Sequence, residues 1–92
     1  MSLRKRLARL RGHAATAMAG KPWSDEEECR LLESLQQGLP VEEIALHHQR
    51  TPNGIYARAY GIAREMAGCG KTPEEISEEL NISLRRIRFA VS

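Results

Sequence analysis

The chain has 92 residues, 41% of them hydrophobic and only 4% aromatic, and its formal net charge is +2. This length fits one small domain, or two very small helical units that share a core. Leu, Ile, Ala, Glu and Arg are frequent while Val and Thr are few, which favours helix over strand. We therefore expect an all-α fold, without a membrane span, because no apolar run is long enough to cross a bilayer.

Charge is distributed unevenly along the chain. Residues 1–21 carry six basic side chains and no acid, whereas residues 22–46 carry seven acids and one base. Residues 47–92 carry seven bases and five acids. This asymmetry indicates a basic arm suited to a polyanion, joined to a folded module that begins with an acidic helix.

The N-terminal arm, residues 1–21, has a helical pattern in its first half. Leu3, Leu7 and Leu10 recur at helical spacing and predict one apolar stripe on a basic helix. This stripe offers a docking face for a protein partner. The remaining positions supply the cations that we expect to contact DNA phosphates: Arg4, Lys5, Arg6, Arg9 and Arg11.

The same arm bears on location. An arginine-rich, acid-free N-terminus also resembles a mitochondrial presequence. It lacks the apolar stretch of a secretory signal, so we expect an intracellular protein. We favour a nuclear or virion-associated location over a mitochondrial one.

Three helices are predicted in the next unit, residues 22–67. Ser24 and Glu27 form the capping-box pattern S-x-x-E and begin a helix over about 24–37. Pro40 begins a short second helix. Thr51 caps a long third helix, with Pro52 at its first position, and the periodic apolar residues reach to about residue 67.

A shorter unit, residues 68–92, repeats part of this pattern. Thr72 and Ser83 each cap a predicted helix, and Asn81 suits a left-handed position between the two. Residues 70–91 align with residues 38–59 with five identities, at cap, core and turn positions. Both segments read as a short capped helix, a turn, a hydroxyl cap and a second helix, which is typical of helix-turn-helix motifs.

The segment 22–59 resembles the Myb/SANT-like family, over about 40 of the 92 residues. The residues that carry the resemblance are Trp23, Glu26, Glu27, Leu31, Leu35, Gly38, Ile44, Ala45, Arg50, Thr51, Ile55 and Arg58. Val41 and Ala59 stand where the family has aromatic core residues. Similar short modules, often with a following helix-turn-helix, occur in proteins of large DNA viruses.

The resemblance implies that the third helix enters the major groove of DNA. The positions that would face the bases are Asn53, Tyr56, Ala57 and Tyr60. Asn53 suits an adenine edge, whereas Ala57 has no hydrogen-bonding group, so direct base readout is expected to be modest.

Several basic residues are candidates for phosphate contacts, which give salt-dependent and sequence-independent affinity. These candidates are Arg50, Arg64, Arg85, Arg86 and Arg88. We expect Arg58 to pair instead with a glutamate of the first helix, Glu27 or Glu28.

Metal, cofactor and catalytic sites are not expected. His47 and His48 are adjacent and would point about 100° apart on a helix, so they do not chelate one ion easily. Cys29 and Cys69 form no CxxC motif, which argues against a zinc finger or a disulfide framework. We expect Cys29 to be buried or half-buried and Cys69 to lie in a turn. No nucleophile motif or phosphate-binding loop is present.

The sequence thus predicts a non-enzymatic duplex DNA-binding protein of low specificity, acting in genome organisation, packaging or transcription regulation. The alternative is a protein-interaction or structural component of a larger assembly, such as a virion or a transcription complex. RNA binding through the basic arm is a third hypothesis. A positive surface on the third helix would favour DNA, and a neutral or acidic one would favour protein.

Overall fold

The computed structural model describes residues 16–92, and these form five helices and no strand. The helices are α1 (Asp25–Gln36), α2 (Val41–His48), α3 (Pro52–Gly68), α4 (Pro73–Leu80) and α5 (Leu84–Val91). The all-α prediction is confirmed for this part of the chain. None of these helices is long and apolar enough to span a bilayer. The predicted basic helix with Leu3, Leu7 and Leu10 lies outside the described residues.

Each of four helices begins at the hydroxyl residue predicted to cap it. The side-chain oxygen of the cap accepts a hydrogen bond from the backbone N–H three residues later at Ser24, Thr51, Thr72 and Ser83. The capping box is complete at Thr72, whose backbone N–H donates to the Glu75 carboxylate over 2.9 Å. At Ser24 the predicted box is only half formed, because the Glu27 carboxylate is engaged by His48 and Arg50 instead.

The predicted repeat is visible in the backbone. Residues 49–51 join α2 to α3, and residues 81–83 join α4 to α5. The first residue of each turn is left-handed, with φ of 55° at Gln49 and 54° at Asn81. The last residue of each turn is the hydroxyl cap of the following helix. The chain therefore makes the same three-residue turn twice, 32 positions apart.

One continuous core joins both halves of the chain. It contains Leu31, Leu35, Ile44, Ala45, Ile55, Ala59, Ile62, Ala63, Ile76, Leu80 and Ile87. The long helix α3 packs on α2, α4 and α5, so it is the centre of the fold. Helices α1 and α4 also pack together, and the Asn81 side chain donates to the Leu35 carbonyl over 2.8 Å. Residues 22–67 and 68–92 thus pack against each other in this structure.

Helix α5 buries a slightly different stripe from the predicted one. Ile87 and Ala90 are buried, while Leu84 and Val91 are only half-buried. This rotation turns Arg85 and Phe89 outward together. Because α5 packs on α3, the exposed sides of these two helices form one surface.

Candidate nucleic-acid interface

The surface that α3 and α5 share is cationic and aromatic. We call it the α3–α5 face and define it by Tyr56, Tyr60 and Arg64 of α3 together with Arg85, Arg86 and Phe89 of α5. It contains three arginines and three aromatic rings, and the cleft between Tyr60 and Phe89 has no carboxylate in its lining. None of these arginines forms an ion pair with an acidic side chain within residues 16–92. Their charges are therefore available to an external anion.

Stacking of side chains organises the centre of this face. Tyr56 and Tyr60 lie one helical turn apart on α3 and stack with 5.9 Å between ring centroids and 28° between planes. The Arg86 guanidinium lies 5.3 Å from the Tyr56 ring centroid, within the range of a cation–π contact. The neighbouring hydroxyl of Tyr56, followed by that of Tyr60, raises the pKa of Arg86. Tyr56 thus links α3 to α5, and Tyr60 is held against it.

The three arginines predicted on the last helix have different surroundings. Arg85 and Arg86 are exposed on the α3–α5 face. Arg88 instead pairs with Glu74 at the start of α4, over 3.0 Å between Nη2 and Oε1. The predicted cluster is therefore divided, and only two of its members belong to the candidate interface.

Arg64 lies at the edge of the α3–α5 face, beside the C-terminal end of α5. Its Nη1 is 3.4 Å from the Ala90 carbonyl oxygen, one of the last carbonyls of α5, which have no partner within the helix. The side chain is exposed. Arg64 can therefore meet a phosphate while remaining beside α5.

The outer side of α3 carries small side chains, and Asn53 near its start is polar. Asn53 and Ala57 are exposed, and a Cβ added at Gly61 would meet no atom within 4 Å. Small side chains at these positions let another backbone approach the helix closely. Of the predicted base-facing residues, Asn53 and Ala57 are thus exposed, while Tyr56 and Tyr60 are half-buried. Arg86 covers part of Tyr56.

Arg50 was predicted to contact phosphate, but in the structure its side chain is buried. Its guanidinium binds the Glu27 carboxylate with two hydrogen bonds, 2.7 Å from Nε and 2.8 Å from Nη2. His48 Nδ1 donates to the same carboxylate over 3.0 Å. Arg50 is 4% exposed, Glu27 4% and His48 5%. The hydrogen bonds from Arg50, followed by the one from His48, lower the pKa of Glu27 from 4.5 to about 2.

This buried cluster also holds residues 16–24, which we call the connector, because they lead from the arm into α1. Arg50 Nη1 donates to the Met18 and Lys21 carbonyl oxygens over 2.7 and 2.9 Å. The guanidinium carbon lies 4.3 Å from the Trp23 ring centroid. This burial corrects the prediction that Arg50 contacts phosphate, because all its polar atoms already have partners inside the protein. Its role is to hold the connector.

The predictions for Arg58 and the two histidines are confirmed, and the one for Cys29 is wrong. Arg58 pairs with Glu28, as expected, so it does not belong to the α3–α5 face. His47 is exposed and His48 is buried, as expected, although His48 is hydrogen-bonded rather than simply apolar. Within residues 16–92, no three His, Cys, Asp or Glu side chains are placed to hold a metal ion. The expectation for Cys29 was wrong, since its side chain is exposed, as is that of Cys69.

The basic arm residues lie outside the described part of the chain: Arg4, Lys5, Arg6, Arg9 and Arg11. Their contact with DNA stays a prediction. The point where the arm joins the fold is described, however. Met18 N–H donates to the Gln49 carbonyl oxygen over 2.9 Å. The connector therefore reaches the α2–α3 turn, directly before the N-terminal end of α3.

Phe89 was missed in the sequence. It is 83% exposed, far more than any other large hydrophobic side chain of the described residues. The signal was its position, since Phe89 falls outside the apolar stripe of Leu84, Ile87 and Val91 and on the side of Arg85. An aromatic residue on the cationic side of a helix is an interface signal rather than a core signal.

Comparisons with family models, with curated proteins and with solved structures found no significant match to this chain.

Proposed function

We propose that this protein is a non-enzymatic, duplex DNA-binding protein built on a Myb/SANT-like helix-turn-helix followed by a second helix-turn-helix. The observation that carries the proposal is the α3–α5 face, where Arg64, Arg85 and Arg86 lie without a carboxylate partner among the described residues. In a helix-turn-helix the second helix enters the groove, and α3 and α5 are the second helices of the two pairs. Cations at phosphates release counterions and supply affinity for any sequence.

The mode of binding follows from the shape of α3. Asn53 and Tyr60 are the polar side chains that its outer side offers to base edges, so base readout is limited and specificity is low. The small residues beside them allow the helix to lie close to the groove. Arg64, Arg85 and Arg86 then contact phosphates along its edge. Genome organisation, packaging and transcription regulation all suit such a protein.

The acidic first helix opposes DNA binding less than its composition indicates. Glu27 is neutralised by Arg50 in the interior, and Glu28 pairs with Arg58 at a partly exposed site. The connector also reaches the α2–α3 turn, where Met18 N–H donates to the Gln49 carbonyl oxygen close to the N-terminal end of α3. A basic arm leaving there can follow the backbone or the minor groove beside the bound helix.

We expect the double substitution Arg85→Gln/Arg86→Gln to weaken binding to a random-sequence duplex about tenfold at low salt. It should also reduce the slope of log affinity against log salt by about 1.8, since each lost phosphate contact contributes about 0.9. Fluorescence anisotropy of a labelled duplex, titrated with the full chain over a salt series, measures both quantities.

The matched control is Arg30→Gln/Arg88→Gln, which removes two positive charges. One comes from α1, and the other is the partner of Glu74. It changes the net charge equally but leaves the α3–α5 face intact, so its affinity should stay within about twofold of the unchanged chain. Equal losses in the two variants would mean that binding follows net charge alone. Absence of binding to duplex DNA by the unchanged chain at low salt would overturn the proposal.

Protein interaction is the second candidate function, and Phe89 is the observation that favours it. An 83% exposed aromatic side chain can anchor a protein interface. Its surroundings, however, are arginines without acidic neighbours on the face. A protein that binds this face would need an acidic surface to pair with the arginines. DNA supplies negative charge in its phosphates and flat rings in its bases.

A further inference from the structure

We propose that the cleft lined by Tyr60 and Phe89 binds an unpaired nucleobase, so that single-stranded or unstacked bases add affinity beyond that of the phosphates. This inference rests on the proposed DNA binding and specifies its substrate class. The cleft is lined by Tyr60, Ser83, Arg85, Arg86 and Phe89. An aromatic residue from each helix, α3 and α5, thus borders one opening on the α3–α5 face.

The two aromatic residues differ in how they are held. Tyr60 stacks on Tyr56, which is in turn covered by Arg86, so its position is determined by packing. Phe89 is 83% exposed and contributes nothing to the core. The Phe89 ring is exposed and borders a cleft with Tyr60, so it can stack on a flat ligand. Stacking of bases on aromatic side chains is how proteins hold unpaired strands without reading their sequence.

The charges around the cleft select the same ligand. Arg85 and Arg86 line it directly, and no carboxylate does. A nucleotide supplies a flat base for the aromatic residues and a phosphate for the arginines. In a paired duplex the bases are stacked on each other, so their faces are not available to Phe89. The arginines therefore serve any DNA, while Phe89 acts only when a base is unpaired.

The test compares three labelled DNAs in anisotropy titrations of the full chain. These are an oligo-dT of about 12 nucleotides, an abasic strand with the same number of phosphates, and a paired duplex of similar length. The abasic strand retains the phosphates and removes the bases. We expect the unchanged chain to bind oligo-dT about tenfold more tightly than the abasic strand.

Phe89→Ala should remove this preference and leave the affinities for duplex and abasic strand within about twofold, because the lost ring is exposed and only stacking is removed. Phe89→Trp should retain the preference. Arg85→Gln/Arg86→Gln should weaken binding to all three DNAs. Far-UV circular dichroism confirms that each variant is folded.

The outcomes separate this inference from the proposed function. Equal affinity for oligo-dT and the abasic strand, or a preference that Phe89→Ala does not change, would overturn the stacking cleft while duplex binding stands. Failure to bind any of the three DNAs would overturn the proposed function and the inference with it.

Discussion

Replacing Arg50 by methionine should lower the free energy of unfolding by about 3–5 kcal/mol, because it leaves the Glu27 carboxylate buried without its main partner. Glu27 would keep one hydrogen bond from His48 and lose two from Arg50. The Met18 and Lys21 carbonyl oxygens would lose their donor as well. Urea unfolding followed by circular dichroism measures the change.

The single tryptophan provides a local reporter for the same variant. Trp23 packs on the Arg50 guanidinium and lies 5.4 Å from the His48 ring, centroid to centroid. Loss of Arg50 should release the connector, so the emission of Trp23 should shift to the red even where the rest of the protein stays folded. The control is Arg58→Met, which breaks the partly exposed pair with Glu28 and should cost about 1 kcal/mol or less.

A loss below 1 kcal/mol in Arg50→Met, with unchanged Trp23 emission, would contradict the role given to this cluster. It would also reopen the question of whether Arg50 is free to contact phosphate.

Acid should destabilise the protein between about pH 4.5 and pH 2 by on the order of 3 kcal/mol through Glu27 alone. Hydrogen bonds from Arg50 hold the pKa of Glu27 at about 2 in the folded protein, against 4.5 for the ordinary group. A lowered folded pKa means that the unfolded chain binds the proton more tightly. The stabilisation is therefore complete above the unfolded pKa and is lost as the pH falls towards the folded pKa.

Urea unfolding at a series of pH values from 6 downward tests this expectation, with Glu27→Gln as the decisive variant. It should be less stable than the unchanged chain at pH 6, and its stability should fall less on acidification. Glu26→Gln, at an exposed neighbouring position, should keep the full acid dependence. A Glu27→Gln variant that loses stability as steeply as the unchanged chain would show that other carboxylates dominate the acid response.

Local signals predicted the helices well, because each is a property of a few neighbouring residues. Ser24, Thr51, Thr72 and Ser83 cap the helices that they were expected to cap, and Asn81 adopts the left-handed conformation. Capping and turn conformation are determined within three or four positions, so the sequence contains all the information that they require.

Partners that are distant in the chain were harder to predict. Arg50 lies beside a helix start, where an exposed arginine would contact phosphate, yet Glu27 is 23 positions away and takes up its charge. His48 at an apolar core position was the available signal, since a buried imidazole requires a polar partner. Arg88 was grouped with Arg85 and Arg86, but Glu74 lies near it only because α4 and α5 pack together. Burial and long-range pairing depend on how helices pack, which the local pattern does not specify.

The individual residues of the candidate interface were predicted, but the sequence did not predict that they form one surface. Tyr56 and Tyr60 were assigned through the resemblance of the third helix to a DNA-reading helix. The charges of Arg64, Arg85 and Arg86 made them candidates for phosphate contacts. The sequence did not indicate that α5 packs beside α3 or that Arg86 covers Tyr56. These contacts place the residues of two motifs on one face.

The most direct test of the central claim is an NMR titration of the ¹⁵N-labelled full chain with a short random-sequence duplex. If the α3–α5 face binds DNA, the largest shift changes should fall on residues 53–64 and 85–89, should diminish as salt is raised, and should leave residues 25–36 almost unchanged. Changes confined to residues 1–21, or centred on α1 or α4, would contradict the account, because the folded part would then not be the DNA-binding element.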